Sequence, residues 1–509
     1  MNLIGTMIKK GLEWKAFLSQ QDRDPWQEQQ EQLKYILRTA RHTALGKYYH
    51  FEGLLESSNP LKAFQRRLPL SDYDTMYQRW WHQGLRYPDI FWPGHPPYFA
   101  RSSGTTGGAP KRIPVTESML EAIRSVSVAQ LTSISHFDMP EAFFEREMLA
   151  LSSHTQLEKT GPHREGEISA ITAANIPSWF ENVYRPGPEI ARIADWNQRI
   201  ERIAEEAPHW DIGVLNGIPS WVLLMLRRII EKHGLNTIHD IWPGLQVYTP
   251  GGVAYAPYRH KFEEVFGREV IIMDTYLASE GFFAYTARPG TLNMRLATGQ
   301  GTFFEFVPFD QRGFDEQAEL LDDPVIHTLN EVEEGQEYAL IITTVAGTYR
   351  YLIGDTITFT SLKHTEIKIS GRTKHFLNVV GSQLTEARMN ECIQMLQQEQ
   401  QLMVKEFSLA AVEGEKDKWY HQWVLGYDGP EPPAEETIAS AIDAFLSERH
   451  KNYEVARRKS LAGVKVCLVP AERFYDYQAR DRDRGGQVKT RKVISQEAMR
   501  AFLAFMDKQ

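Results

Sequence analysis

Residues 101–111 read Arg-Ser-Ser-Gly-Thr-Thr-Gly-Gly-Ala-Pro-Lys and come directly after the apolar segment 97–100. Glycine lacks a Cβ atom, so several backbone N–H groups can converge on one anion. The hydroxyl groups add further donors, and the lysine adds a mobile positive charge. The stretch therefore predicts a phosphate-binding loop. Its candidate phosphate ligands are Ser102, Ser103, Gly104, Thr105, Thr106, Gly107 and Lys111.

This loop differs from the P-loop of the common nucleotide hydrolases, which reads Gly-x-x-x-x-Gly-Lys-Ser/Thr. Here Pro110 precedes the lysine and Arg112 follows it, so a magnesium ion has no hydroxyl ligand at the expected place. Taken alone, the stretch is also compatible with a surface turn rich in serine and glycine. Other segments of the chain have to decide between these two interpretations.

Three further segments follow in a fixed order. Asp-Thr-Tyr-Leu-Ala-Ser-Glu-Gly occupies residues 274–281, Tyr-Arg-Tyr-Leu-Ile-Gly-Asp residues 349–355, and Gly-Arg-Thr-Lys residues 371–374. The series resembles the adenylate-forming superfamily, which includes firefly luciferase, acyl-CoA ligases and peptide-synthetase adenylation domains. It most resembles the auxin-responsive acyl acid amido synthetases, the Gretchen Hagen three family. That branch typically reads Ser-Ser-Gly-Thr-(Ser/Thr), Tyr-x-x-Ser-Glu and Tyr-Arg-Tyr-x-x-Gly-Asp, and the resemblance runs from about residue 95 onward.

Composition limits the function classes. The chain has 509 residues, of which 42% are hydrophobic and 24% charged, and it is long enough for two or more domains of a soluble globular protein. A net charge of −9 argues against nucleic acid as the main partner. Cys392 and Cys467 are the two cysteines, which excludes a disulfide framework and favours a reducing, cytoplasmic setting. Residues 1–10 suggest an amphipathic helix rather than a signal peptide, and no apolar run is long enough to span a membrane.

Hydrophobic patterns predict an α/β protein. Helical spacing dominates residues 1–95, and Ser118 with Glu121 suggests a capping box for the following helix. Further helices are predicted at 189–206, 218–233, 385–400 and 434–450. Strands are predicted at 247–249, 270–273, 302–307, 338–344, 366–369, 407–412, 419–426 and 464–469.

The family resemblance implies that these helices and strands form an adenylate-forming fold with two domains. It implies a large N-terminal α/β domain, residues 1–371, that binds ATP and the acyl acid. A small mobile C-terminal α/β cap, residues 372–509, follows. The segment 371–374 would be the hinge between them, although a simple turn is the alternative.

Asp355 is the clearest single site residue after the loop, because a carboxylate can accept two hydroxyl hydrogen bonds and so suits a ribose diol. A turn aspartate is the alternative. The resemblance implies that Glu280 links the protein to Mg²⁺, against the alternative of a charge at a helix N-terminus. It implies that Tyr276 stacks on adenine rather than joining the core, and that Arg372 stays near the ribose or phosphates. Ser279 belongs to the same nucleotide-contacting segment.

The remaining candidates are weaker. Gly251 and Gly252 resemble a glycine pair that lines the adenine and acyl pockets, with a tight turn as the alternative. Lys489, in the basic segment 484–492, resembles the lysine that swings into the site for adenylation, with a solvated loop as the alternative. Arg350 pairs with a buried carboxylate if its role is structural. The polar stretches around His154 and His163 are candidates to line the acyl pocket, and neither histidine is assigned as a base.

These expectations combine into one reaction. ATP and an acyl acid would give acyl-AMP and pyrophosphate, and an amino acid amine would then attack the acyl carbon and release AMP. Adenylation is what the superfamily resemblance implies, and the nucleotide motifs suit it, since positive charge must be brought to a transition state where anions meet. Amide formation follows from the resemblance alone. The rivals are thioester formation with coenzyme A and a non-catalytic nucleotide-binding protein.

Overall fold

The computed structural model describes residues 9–11, 24–102, 111–176, 181–252, 255, 258–315, 319–373, 377, 382, 384, 386–414, 418–429, 432–459, 461–479 and 492–506. Ser103, Gly104, Thr105, Thr106, Gly107 and Lys489 lie outside these ranges, as does most of the predicted N-terminal helix. The predictions that concern those residues are therefore not addressed by the structure.

Helices dominate the described part of residues 24–84, as their spacing predicts. None of the helices in the described ranges combines the length and apolarity needed to cross a bilayer. The α-helices are Pro25–Ala40, Ala44–Tyr48, Phe51–Glu56, Pro60–Arg67, Tyr73–Met76, His82–Gly84, Glu117–Ser133, Ile168–Ala174, Pro188–Ala191, Trp196–Glu206, Pro219–His233, Arg259–Val265, Glu386–Glu399, Glu435–Arg449, Lys451–Lys459, Ala471–Ala479 and Gln496–Met506, with a π-helical turn at Tyr77–Trp81.

Two helix predictions are wrong in detail. The helix Glu117–Ser133 is capped by Thr116, whose Oγ1 accepts a hydrogen bond from the Met119 amide at 3.1 Å. Ser118 therefore lies inside the helix and does not cap it. The predicted helix 189–206 is two helices, because Asp195 takes an extended conformation and caps the second one by accepting the Gln198 amide at 2.7 Å.

The strands, numbered in chain order, occupy the predicted runs and several more. They are β1 (Tyr98–Ser102), β2 (Lys111–Val115), β3 (Glu147–Leu151), β4 (Glu158–Thr160), β5 (His163–Gly166), β6 (Tyr184–Arg185), β7 (Ile212–Gly217), β8 (Val247–Pro250), β9 (Ile271–Ile272), β10 (Thr275–Ala278), β11 (Gly281–Tyr285), β12 (Met294–Leu296), β13 (Thr302–Pro308), β14 (Glu337–Thr344), β15 (Thr348–Ser361), β16 (Glu366–Arg372), β17 (Val404–Glu413), β18 (Trp419–Tyr427) and β19 (Leu461–Pro470).

In the described part of the chain these strands form four sheets. A parallel sheet has the order β6-β3-β7-β8-β9, and an antiparallel sheet has the order β10-β11-β12-β16-β15-β14-β13. A smaller sheet, β2-β1-β5-β4, carries the ends of the predicted phosphate loop, and β17-β18-β19 forms the last sheet. The prediction of an α/β fold is confirmed.

Separate apolar cores underlie these sheets. The N-terminal helices pack on the seven-stranded sheet, for example through Phe64 against Phe303, whose ring centroids are 6.4 Å apart. A second core joins the parallel sheet to its helices. A third begins at Leu377 and includes the C-terminal helices and strands. The change of core shortly after Arg372 is compatible with the predicted boundary at residue 372, and the division into a body and a mobile cap remains a prediction.

Candidate nucleotide site

The predicted phosphate loop is held at both ends by a β-hairpin. β1 and β2 pair antiparallel, and their last pair is Ser102 opposite Lys111. The two residues that flank the predicted loop, Ser102 and Lys111, therefore lie opposite each other in the sheet. The Lys111 ammonium lies 5.0 Å from the centroid of the Tyr73 ring, a cation–π distance. Lys111 is thus positioned by an aromatic ring from the N-terminal helices.

Asp355 is the centre of the described site. Its carboxylate accepts hydrogen bonds from the Tyr276 hydroxyl and from Arg372 Nε, each at 2.7 Å. Asp355 lies on β15 directly opposite Arg372 on β16, and Tyr276 comes from β10 at the far edge of the same sheet. The structure therefore brings together three residues predicted from three separate sequence segments. The proximity of Asp355 also raises the pKa of Arg372.

Tyr276 reaches this carboxylate from within the core. The ring is 4% exposed and packs edge-on against Phe283, with centroids 5.2 Å apart. Burial, with Asp355 adding to it, raises the pKa of the Tyr276 hydroxyl, so the group remains a hydrogen-bond donor. The described contacts of Tyr276 are those of a core residue that orients Asp355. Stacking on adenine remains a prediction.

Glu280 lies in the turn between β10 and β11, next to the half-buried Ser279. It is therefore not at a helix N-terminus, and that alternative is wrong. Its Oε1 accepts a 3.4 Å contact from the Tyr351 hydroxyl. Burial, and next the charge of Asp355, raise the pKa of Glu280 to about 7, while Lys111 and Arg372 act in the opposite direction. The two carboxylates and the two cations thus share one electrostatic environment.

The glycine pair lies at the carboxyl end of the parallel sheet, the edge where ligands bind in open α/β sheets. A Cβ atom on Gly251 would come within 2.8 Å of Thr275 Oγ1, next to Tyr276 in the chain. Gly252 has φ of 78°, and a Cβ atom there would be 3.3 Å from Ile218 Cγ1. Both positions therefore need glycine: the first because of a close approach, the second because of its backbone conformation.

Arg350 is outside this site. Its guanidinium forms a two-pronged ion pair with Glu305, in which Nε and Nη2 each lie 3.0 Å from a carboxylate oxygen. Nη1 donates to the carbonyl oxygens of Gln65 and Leu68. Both charged side chains are almost fully buried. The structural interpretation of Arg350 is confirmed, because this arginine pairs with buried Glu305 and ties the seven-stranded sheet to the C-terminal end of helix Pro60–Arg67.

Comparison with known proteins now bears on this arrangement. The chain matches the GH3 family N-terminal domain over residues 15–202, the central domain over residues 296–372 and the C-terminal domain over residues 383–498. The chain belongs to the GH3 family. The family matches extend over the Asp355–Arg372 pair.

Named relatives and solved structures of GH3 proteins agree with this assignment. The chain is 29% identical to indole-3-acetic acid-amido synthetase GH3.2 of Arabidopsis thaliana over 31% of this chain and 30% of the relative. It is 23% identical to the putative indole-3-acetic acid-amido synthetase GH3.10 of Oryza sativa subsp. japonica, over 67% and 78% of the two chains. The first two relatives are matched over less than half of their length.

Solved structures show the fold that GH3 and other adenylate-forming proteins share. The AtGH3.15 acyl acid amido synthetase in complex with 2,4-DB superposes with a TM-score of 0.74 at 18% identity, covering 97% of this chain and 96% of that one. A 2-hydroxyisobutyryl-CoA ligase in the postadenylation state gives a TM-score of 0.51 at 14% identity, covering 94% and 91%. The predicted adenylate-forming fold is thereby confirmed.

Several residues of this GH3 site escaped the sequence analysis. Tyr351 contacts Glu280. Successive side chains of a strand point to opposite faces of the sheet, so Tyr351 and its neighbour Arg350, which is outside the site, are expected to face opposite sides. Tyr73 has no sequence signal, because it reaches Lys111 from a helix about forty residues away. His163 was placed among candidates for the acyl pocket, but its Nε2 lies 3.2 Å from Glu165 Oε1 within β5. His154 is exposed and makes no such contact in the described structure.

Proposed function

We propose that this GH3 protein is an ATP-dependent acyl acid amido synthetase. It would activate a carboxylic acid as acyl-AMP and transfer the acyl group to the amine of an amino acid. The observation that carries the proposal is the Asp355 cluster, in which three separated motifs meet beside Glu280 and Lys111. Family membership supplies the expectation that the second substrate is an amine.

Asp355 has the capacity to bind ribose while keeping its present partners. An ionised carboxylate offers about four lone-pair sites, and Tyr276 and Arg372 occupy two of them. The remaining sites suit the two adjacent hydroxyls of a ribose. Arg372 holds the carboxylate in orientation and adds positive charge near the ribose. Lys111, at the exit of the phosphate loop, would bring its charge to the terminal phosphates.

Glu280 fits a magnesium ligand by its chemistry. It is a buried carboxylate whose pKa is raised by burial and by a second carboxylate, so a nearby cation would stabilise its ionised form. Magnesium prefers few protein carboxylates together with phosphate oxygens. When bound, Mg²⁺ would neutralise charge on the phosphates during adenylation. The Tyr351 hydroxyl would hold Glu280 in place by donating to one of its oxygens.

The second half-reaction would involve the C-terminal region. Lys489 is proposed to contribute positive charge during adenylation, from a cap comprising residues 372–509 that then rotates so that an amine can reach the acyl carbon. No general base is assigned to the amine.

Cys392 and Cys467 are both free thiols, which supports a reducing, cytoplasmic setting.

The test is acid-dependent ATP–pyrophosphate exchange over a panel of aromatic, fatty and hydroxy acids. Each acid that supports exchange is then incubated with amino acids or with coenzyme A, and the product is identified by mass. Exchange followed by an amide product supports the proposal. A thioester product would make the protein an acyl-CoA ligase with the same first step. Absence of exchange, with ATP still bound, would point to a non-catalytic nucleotide-binding protein.

A further inference from the structure

A buried arginine lies on the side of the parallel sheet where the strands end, the edge at which ligands bind in open α/β sheets. Arg199 is 4% exposed and lies one turn into helix Trp196–Glu206. The start of this helix is placed by Trp196, whose ring centroid lies 4.9 Å from that of Trp221. Trp221 belongs to the first turn of the helix that follows β7. Arg199 is therefore on the side where β7 ends.

The guanidinium of Arg199 is buried without a matching acceptor. Its Nε and Nη1 have no hydrogen-bond partner among the residues that the structure describes. Its Cζ lies 5.2 Å from the centroid of the Trp196 ring, a cation–π distance, so one face of the guanidinium is covered while its N–H groups stay available. A buried arginine is normally paired, because an unpaired buried charge is costly. The position therefore calls for an acceptor that these residues do not supply.

The electrostatic surroundings of Arg199 favour an anion. Burial lowers the pKa of Arg199, and the nearby carboxylate of Glu167 acts in the opposite direction. Glu167 accepts a hydrogen bond from the Ser153 hydroxyl, and it forms no ion pair with Arg199 within the described ranges. Two helices, Trp196–Glu206 and Pro219–His233, begin close by, and the second has no side-chain cap. Helix N-termini attract negative charge, so they act in the same direction as the guanidinium.

The same edge of the sheet connects this arginine to the nucleotide site. The last residues of β3, β7 and β8, which are Leu151, Gly217 and Pro250, are paired in one row. The Pro250 carbonyl accepts a hydrogen bond from the Thr275 hydroxyl at 2.6 Å, one residue before the tyrosine that holds Asp355. Neighbouring strands lie about 4.8 Å apart, so the row spans about 10 Å. A small substrate can cover that length.

We infer that Arg199 recognises a substrate carboxylate other than the one that is activated, by presenting its planar guanidinium to the two carboxylate oxygens. Among the proposed substrates this chemistry has two sources, the second carboxylate of a dicarboxylic acyl acid and the α-carboxylate of the acceptor amino acid. The inference rests on the proposed function in one respect, that these substrates bind beside the nucleotide. Charge-assisted hydrogen bonds of this kind correspond to about 10- to 100-fold in affinity.

The test measures the binding of paired probes to the full-length wild type, Arg199→Met, Arg199→Lys and the control Arg202→Met, whose side chain is 49% exposed on the same helix. Calorimetry in the presence of AMP compares each carboxylate with the molecule in which a carboxamide replaces it. Terephthalate with 4-carbamoylbenzoate and adipate with adipamate represent the acyl acid. L-Alanine with L-alaninamide and L-phenylalanine with L-phenylalaninamide represent the amino acid.

Wild type should bind the carboxylates of one probe class about 10- to 100-fold more tightly than their carboxamides, and that class identifies the source of the carboxylate. Arg199→Met should reduce this preference to less than about twofold. Arg199→Lys keeps the charge without the planar donors, so it should show an intermediate preference, and it carries the comparison if Arg199→Met does not fold. Arg202→Met should change the preference less than about twofold, because exposed ion pairs contribute little.

Thermal unfolding separates recognition from a structural role. Removing an unpaired buried charge should leave the Tm of Arg199→Met equal to or above that of wild type. An unchanged preference in both Arg199 variants would overturn the inference, as would a wild type that prefers neither class of carboxylate. Acid-dependent exchange by the wild type tests the proposed function separately, because binding of the probes does not require turnover.

Discussion

Replacing Glu280 with glutamine should make the protein more stable at alkaline pH while removing the proposed magnesium-dependent adenylation. The pKa of Glu280 rises from 4.5 to about 7 in the folded chain, mainly because of burial. Each pKa unit corresponds to about 1.4 kcal/mol of differential interaction, so ionising this group in the fold costs about 3 kcal/mol at pH 8. Glutamine has nearly the same shape and carries no charge to desolvate.

The difference in stability between Glu280→Gln and wild type should grow as the pH rises. A raised folded-state pKa contributes stability that is fully present below pH 4.5 and is lost as the pH rises through about 7. Urea unfolding without nucleotide or magnesium should therefore show Glu280→Gln more stable than wild type by about 3 kcal/mol at pH 8 and by less than about 1 kcal/mol at pH 5. These pH values also avoid the isoelectric point near 6.0.

Glu264→Gln is the matched control, since that carboxylate is 64% exposed and should show a difference below about 1 kcal/mol at both pH values. Acid-dependent exchange by Glu280→Gln should fall at least about 100-fold, because the site would lose its proposed magnesium ligand. The argument from burial would be refuted if Glu280→Gln were no more stable than wild type at pH 8 and if the difference in unfolding free energy between the two proteins were the same at pH 5 as at pH 8.

The other predictions concern single groups. Asp355→Asn should weaken ATP binding about tenfold, because one charged acceptor for the ribose is lost, and an unchanged affinity in calorimetry would remove Asp355 from the ribose site. Lys111→Ala should lower exchange at least about 100-fold with a change in unfolding free energy below about 1 kcal/mol; parallel losses in both would contradict a phosphate role. Lys489→Ala should lower exchange, while the rate at which the amine attacks pre-formed acyl-AMP, measured in single-turnover assays, should stay within about threefold of wild type. An equal loss in both half-reactions would contradict a cap with two positions. Arg350→Met should destabilise the fold by about 3–5 kcal/mol in urea unfolding, because Glu305 is left buried without its cation; a change below about 1 kcal/mol would show that the pair is dispensable.

The sequence was most informative where local chemistry determines structure. The apolar run at 302–307 became β13, and the predicted strand at 338–344 became β14 with one added residue. The order of the four motifs was sufficient to group Tyr276, Asp355 and Arg372 before their contacts were known. In each case the signal lies within a few neighbouring residues.

Long-range packing accounts for what the sequence did not reveal. Glu165 is surrounded by donors from β1 and β2, more than fifty residues earlier in the chain, and no local pattern distinguishes it from a solvated strand carboxylate. Tyr276 packs against Phe283 and donates to Asp355, a long-range contact that no local pattern shows, and its stacking on adenine remains a prediction. The Ser118 capping box failed because Thr116 had the extended backbone that a cap requires, and its Oγ1 is also held by the Val345 carbonyl.

The pairing of Asp355 with Arg372 has a consequence for sequence divergence. The two residues face each other across neighbouring strands, one on the nucleotide site and the other at the end of the last strand before the C-terminal core. The Asp355 side chain is 10% exposed, so loss of Arg372 would leave a buried carboxylate without its cation, whereas the Arg372 side chain is 40% exposed. The two positions therefore cannot drift independently, and substitutions at them should be inherited together. An alignment of homologues would register the link between the nucleotide site and the C-terminal region as co-variation of this one pair.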